Sequence, residues 1–154
     1  MRLKLNWIHA LRRDESGQAL IEAALSLPLF ALILIGAAEL ARVAYAAIEV
    51  TNAARSGAEY GGQNSSTAQD TSGISAAASY DGANLTGLTV TSSYACVCSD
   101  GSASTCLNTD CSNSHIEESV TVNTSASYSP LFHVSGISAT SFTLKGRATQ
   151  KCAQ

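Results

Sequence analysis

Residues 19–60 read ALIEAALSLPLFALILIGAAELARVAYAAIEVTNAARSGAEY, and this stretch decides the fold. Residues 23–38 carry no charge, and from Ala19 to Ala38 the only charge is Glu22. About 20 helical residues cross a hydrocarbon core of roughly 30 Å, so the run has the length of one span. Its strongly apolar members are Leu20, Ile21, Leu25, Leu27, Leu29, Phe30, Leu32, Ile33, Leu34 and Ile35. Together they favour insertion by roughly 3–6 kcal/mol. Glu22 lies near the edge of the run, where a charge costs less than at the centre.

Beyond the run the helical pattern continues. Glu39, Arg42, Glu49, Asn52, Ser56 and Glu59 follow helical spacing along one face, and Leu40, Val43, Ala47, Val50, Ala54 and Ala58 along the opposite one. Gly61–Gly62 should end the helix. From residue 19 to 60 such a helix is about 63 Å long, roughly twice what a bilayer needs. Gly57 and Gly61 form a G-x-x-x-G pair, which outside the span reads as helix termination.

Residues 1–17, MRLKLNWIHALRRDESG, form a basic leader with Arg2, Lys4, Arg12 and Arg13. Leu5, Ile8 and Leu11 beside Trp7 allow two readings, an amphipathic segment on a membrane surface or an unstructured leader. After the run the cations Arg42 and Arg55 are interleaved with Glu39, Glu49 and Glu59. The positive-inside rule therefore predicts a cytoplasmic amino terminus and a carboxyl domain on the other side.

The remainder is compositionally different. Residues 61–154 hold 19 Ser and 12 Thr, and charged residues are 14% of the whole chain of 154, which disfavours a typical cytosolic enzyme. Net charge is −3, so no nucleic-acid partner is expected. Residues 61–72, GGQNSSTAQDTS, read as a loop, and 74–80 as a short helix. Period-two alternation then marks three strands: 86–98 with Leu88, Val90, Tyr94 and Cys96 on one face; 119–128 with Val120, Val122, Ala126 and Tyr128; and 142–149 with Phe142, Leu144, Gly146 and Ala148. Their apolar faces need a cover, and Val43, Ala47, Val50 and Ala54 of the protruding helix supply it. The predicted class is α+β, with a long helix (18–60, spanning about 19–38) laid on a small antiparallel sheet domain (61–154).

All five cysteines, Cys96, Cys98, Cys106, Cys111 and Cys152, lie in that domain. In an oxidising compartment the cluster CVCSDGSASTCLNTDC reads as disulfides holding a polar loop. Four clustered cysteines allow three pairings. Cys96 and Cys98 share one strand face, so a bond between them is disfavoured. Cys152 is left over unless it pairs with one of the four. The rival, a four-cysteine zinc site, lacks its usual C-x2-C pairs. No nucleophile elbow, H-E-x-x-H or phosphate loop occurs near His9, His115 or His133, so neither catalysis, a metal nor a cofactor is expected. Asn64, Asn84 and Asn123 match N-x-S/T, a common chance occurrence in such a composition.

Gly17, Glu22 five residues on, Pro28 inside the apolar run, and the segment Asn52-Ala53-Ala54-Arg55-Ser56-Gly57-Ala58 stand in an ordered set. This set resembles the TadE-like family, minor pilins (pseudopilins) of the Tad, or Flp, pilus apparatus in the type IV pilus superfamily. Ala23 departs from the family, which often has an aromatic after the Glu. The resemblance implies cleavage after Gly17 by a membrane prepilin peptidase, leaving Gln18 as the new amino terminus. It also implies a mature protein in the bacterial inner membrane that associates with other pilins and an assembly platform. Glu22 would then pair with the freed α-amino group of a neighbouring subunit, a contact worth roughly 4 kcal/mol before desolvation. Pro28 would allow local unwinding during packing. The competing readings are a secreted binding protein whose signal peptide is cut after Ala38, and an uncleaved anchor presenting an adhesive domain. The mature amino terminus separates them: Gln18, Glu39 or the intact leader.

Overall fold

A computed structural model describes residues 15–107, 109–132 and 140–153, with side chains from Gly17 onward. The basic leader up to residue 14, His9 and His133 lie outside the described residues. The elements are α1 (Glu15–Gly61), α2 (Ser65–Gln69), α3 (Thr71–Asp81), β1 (Thr89–Cys98), β2 (Ala103–Ser104), β3 (Ile116–Tyr128) and β4 (Phe142–Lys151). The class is α+β. Contacts divide the chain after Leu40 into two units, 1–40 and 41–154, each described by itself.

The second unit is built on an antiparallel sheet of order β2-β1-β3-β4. β3 is central and pairs with β1 from Thr89↔Ser125 to Cys98↔Ile116, and with β4 from Ser119↔Lys151 to Tyr128↔Phe142. Alternation sets which face is buried: Val120, Val122, Thr124, Ala126 and Tyr128 point inward from β3. The cover is the carboxyl part of α1, which buries Val50, Ala53, Ala54 and Ala58, and α3, which buries Ile74 and Ala78. Of the apolar stripe expected on α1, Val43 and Ala47 are half-buried and Leu40 is exposed.

Small residues let these layers approach closely. A Cβ at Gly57 would lie 3.2 Å from the Ala78 Cβ and from the Ile74 carbonyl oxygen, and one at Gly61 would lie 2.9 Å from Val120 Cγ1. The G-x-x-x-G pair is thus a packing surface, and Gly57 does more than herald the end of the helix. Gly146 of β4 faces the backbone of Val50, and beside it the Thr124 hydroxyl donates to the Val50 carbonyl oxygen (2.7 Å).

The loop expected at 61–72 is corrected by the structure. Asn64 caps α2, its side chain accepting from the N–H groups of Ser66 and Thr67, while the Asn64 N–H donates to the Thr67 hydroxyl. This reciprocal capping box satisfies the orphan donors of a single helical turn, and α2 buries Ala68. Asp70 then caps α3, accepting from the Gly73 N–H (2.9 Å), the Ser72 hydroxyl (2.6 Å) and, through its other oxygen, the Tyr60 hydroxyl (2.8 Å). These donors, Ser72 first, hold its carboxyl down at about 2.

Candidate assembly site

In the first unit α1 is an apolar rod with nothing covering it among the described residues. Its large side chains from Leu20 to Ile35 are exposed, from 39% at Ile35 to 75% at Leu25. A contiguous apolar surface of this kind is unsuited to water and requires lipid or other helices as its surroundings. The helix from Gly17 to Gly61 is long and apolar enough to cross a membrane, with a mean hydropathy of 2.2 in its most apolar window. That agrees with a single-pass membrane protein.

The residues singled out in the sequence lie on this rod. Gly17 is helical, and a Cβ there would meet no atom within 4 Å. Glycine costs a helix about 1 kcal/mol relative to alanine, and no neighbour among the described residues demands it here. Gln18 and Glu22, four residues apart, occupy one face one turn from each other, and both are exposed. The next cation along the helix from Glu22 is Arg42, twenty residues on. The Ser26 hydroxyl donates back to the Glu22 carbonyl oxygen (2.7 Å). Pro28 lies within the helix without ending it. Having no N–H, it leaves the carbonyl of residue 24 without its usual helical donor.

The cysteines form a separate feature in the second unit. Cys96 bonds to Cys106 and Cys98 to Cys111, and Cys152 is free and buried. The short β2 makes this pairing possible: it pairs Cys96 with Ser104, which brings Cys106 back beside β1. Asp110 organises the rest of the loop by accepting from the Thr105 N–H (2.6 Å) and hydroxyl (2.8 Å). These bonds, with the Thr105 hydroxyl foremost, lower its carboxyl pKa. Burial, reinforced by the nearby Glu118, pushes the Cys152 thiol up, away from the reactive thiolate. Burial and a hydrogen bond to Glu118 likewise push Tyr94 up to about 12. Two of the N-x-S/T asparagines have structural employment: Asn64 caps α2, and Asn84 donates to Glu49 Oε1 (3.0 Å).

The arrangement therefore offers a packing surface, with a carboxylate near one end, and no assembled catalytic cluster among the described residues. Residues 17–59 match the TadE-like protein family. The TadE-like match covers the rod together with the start of the small-residue packing face, from Gly17 through Gly57, and ends before the sheet. It agrees with a protein of a Tad pilus system. No curated protein and no solved structure matches the chain. What sequence reasoning missed at this surface is the use of Ala53 and Gly57 in packing. The signal was present in the N-A-A-R-S-G-A segment, whose small residues recur at spacings of three and four.

Proposed function

We propose that the chain is a structural minor pilin, or pseudopilin, of a Tad pilus assembly system rather than an enzyme. A prepilin peptidase removes the leader after Gly17. The mature protein is held in the inner membrane by α1, with its amino terminus cytoplasmic and its disulfide-bonded domain on the periplasmic or extracellular side. Its partners are other pilins and the inner-membrane assembly platform, which it meets through the exposed face of α1. Glu22 selects the register by pairing with the amino group of Gln18 on a neighbour.

What supports this reading is the coincidence of the TadE-like match with an apolar stretch of α1 that is uncovered among the described residues and has near its start a glycine that no described packing contact requires. A small residue before the scissile bond suits a protease cleft, and an anion near the new helix start is favoured by the helix dipole. The test is mass spectrometry of the membrane-extracted protein beside Gly17→Phe. The wild type should begin at Gln18, and the variant should retain the full leader. Normal maturation of the variant would reject the processing site. A wild-type protein beginning at Glu39 would instead establish a secretory signal, and one with an intact leader a simple anchor.

A further inference from the structure

The inward face of the sheet is covered by α1 and α3, and the outward face is open. Alternate residues of β1 from Thr89 to Val97 and of β4 from Thr143 to Lys151 are all exposed there. The register lines up Thr89, Ser125 and Lys145 in one row and Thr91, Asn123 and Arg147 in the next. The central strand contributes short side chains and β4 long ones, so these two rows form a shallow depression of about 470 Å³. None of the six side chains makes a hydrogen bond or ion pair among the described residues. Further along the face, Thr121 and Thr149 hydrogen-bond to each other (2.9 Å), and Lys151 is paired with Glu117. Of the three cations on β4, Lys145 and Arg147 are therefore the two that no described carboxylate neutralises.

Glu117 is the one carboxylate among the outward residues of these strands, six residues and about 20 Å along β3 from Asn123. Across the edge of β4, Arg147 shares a groove with Arg55 and Glu59 of α1, whose opposite charges offset each other. The depression is thus a small positive field set among neutral hydroxyls and one amide, with its two charges about 7 Å apart along the strand. Such a surface suits a ligand with spaced anions and many hydroxyls. Arginine takes a carboxylate through its planar fork, and lysine takes one as a point charge. The six residues include no aromatic ring on which a nucleic-acid base could stack. They include no large apolar anchor of the kind that dominates protein interfaces. Duplex DNA, with one charge per roughly 1.7 Å, is also opposed by the chain's net charge of −3. A carboxylated polysaccharide, with at most one charge per sugar and hydroxyls elsewhere, meets all of these conditions.

We infer that the outward face of the sheet binds a carboxylated polysaccharide. Lys145 and Arg147 pair with carboxylates along the sugar chain, while Thr89, Thr91, Asn123 and Ser125 hydrogen-bond to its hydroxyls. The inference lies wholly within the second unit and does not depend on the pilus reading or on the membrane span.

The test is biolayer interferometry of the full chain, in neutral detergent, on immobilised polygalacturonate, on its methyl ester and on double-stranded DNA. The wild type should bind polygalacturonate and bind the ester far more weakly. Lys145→Gln and Arg147→Gln should each lose roughly tenfold in affinity, the size of one hydrogen bond to a charged group. Lys151→Gln removes the same charge from the same strand outside the depression and should be nearly unchanged. Asn123→Ala alters no charge and should still weaken binding severalfold. Absence of wild-type binding, or equal binding of the ester, would overturn the inference. Binding that survives the double variant Lys145→Gln/Arg147→Gln would belong to the basic leader and overturn it too. So would equal losses in Lys151→Gln and Arg147→Gln, which would reduce the effect to bulk charge. DNA held more tightly than polygalacturonate through Lys145 and Arg147 would replace the polysaccharide with nucleic acid.

Discussion

Gly146→Ala tests how tightly α1 is clamped to the sheet. An added Cβ would sit 2.5 Å from the Val50 carbonyl oxygen, 2.8 Å from the Val50 carbonyl carbon and 2.7 Å from the Thr124 hydroxyl. Ordinary separations for such atoms are near 3.5 Å, so β4 and the helix must part by about 1 Å. The obstacle is backbone and cannot rotate aside. Overpacking of this kind costs about 1–3 kcal/mol, and weakening the buried Thr124–Val50 hydrogen bond adds about 1 kcal/mol. At about 4 °C per kcal/mol for a unit of this size, the melting temperature should fall by roughly 8–15 °C. Tyrosine near-ultraviolet circular dichroism of the full chain in detergent is the assay, since the domain holds every tyrosine and the span none. The companion Thr124→Val removes only the hydrogen bond and should cost about 1 kcal/mol. The double variant should fall short of the sum, because both changes act on the same carbonyl. Without a close approach, Gly→Ala would stabilise by about 0.4–1 kcal/mol through the unfolded chain, so the sign discriminates. A Gly146→Ala protein that melts with or above the wild type refutes the clamp.

Three further outcomes follow from the geometry. Alkylation of denatured, unreduced protein should label one cysteine, Cys152, and reduction should expose all five; each bridge closes a loop of 10 or 13 residues and should contribute about 3 kcal/mol, so labelling of all five without reductant would reject the framework. The Asp70 carboxyl is held down at about 2 from an ordinary 3.8, so its contribution is complete above pH 4 and disappears as pH falls through 2; Asp70→Ala should melt below the wild type at pH 7, and the gap should close over that interval, whereas a gap constant from pH 7 to 2 would deny Asp70 its charged role. Glu22→Gln should insert and mature normally yet co-purify poorly with other pilins, and wild-type co-purification would reduce Glu22 to an interfacial residue.

Period-two alternation placed Val120, Val122, Ala126 and Tyr128 on one face of a strand because a half-buried sheet separates its residues by chemistry at every step. No comparable local rule orders the strands, and β2 is only two residues long, so the sheet order and with it the choice of Cys106 for Cys96 were illegible. Alternation disfavoured a Cys96–Cys98 bond, but the remaining choice depended on where the chain turns back. It does so at Gly101, whose φ of 87° suits glycine, and the Ser102 N–H is captured there by Asp100 (2.9 Å). Composition misled at 61–72. Ser, Thr, Asn and Asp favour loops on average, yet the same hydroxyls and carboxylates are what caps demand, and Asn64 with Thr67 and Asp70 with Gly73 turn that segment into two helix starts.

The residue sizes along α1 explain why one helix suits two surroundings. From Leu20 to Ile35 most side chains are large and apolar, which favours contact with acyl chains and with other helices but would hold a sheet at a distance. From Ala53 to Gly61 the inward positions are Ala53, Ala54, Gly57, Ala58 and Gly61, and the bulk comes from the other side, from Ile74, Val120 and Val122. The first half therefore has its apolar volume on the helix, where no described residue of this chain covers it. The second half has surrendered that volume so that the chain's own sheet can supply it. The TadE-like match takes in the apolar run and most of this small-residue face and stops short of the sheet that fills it.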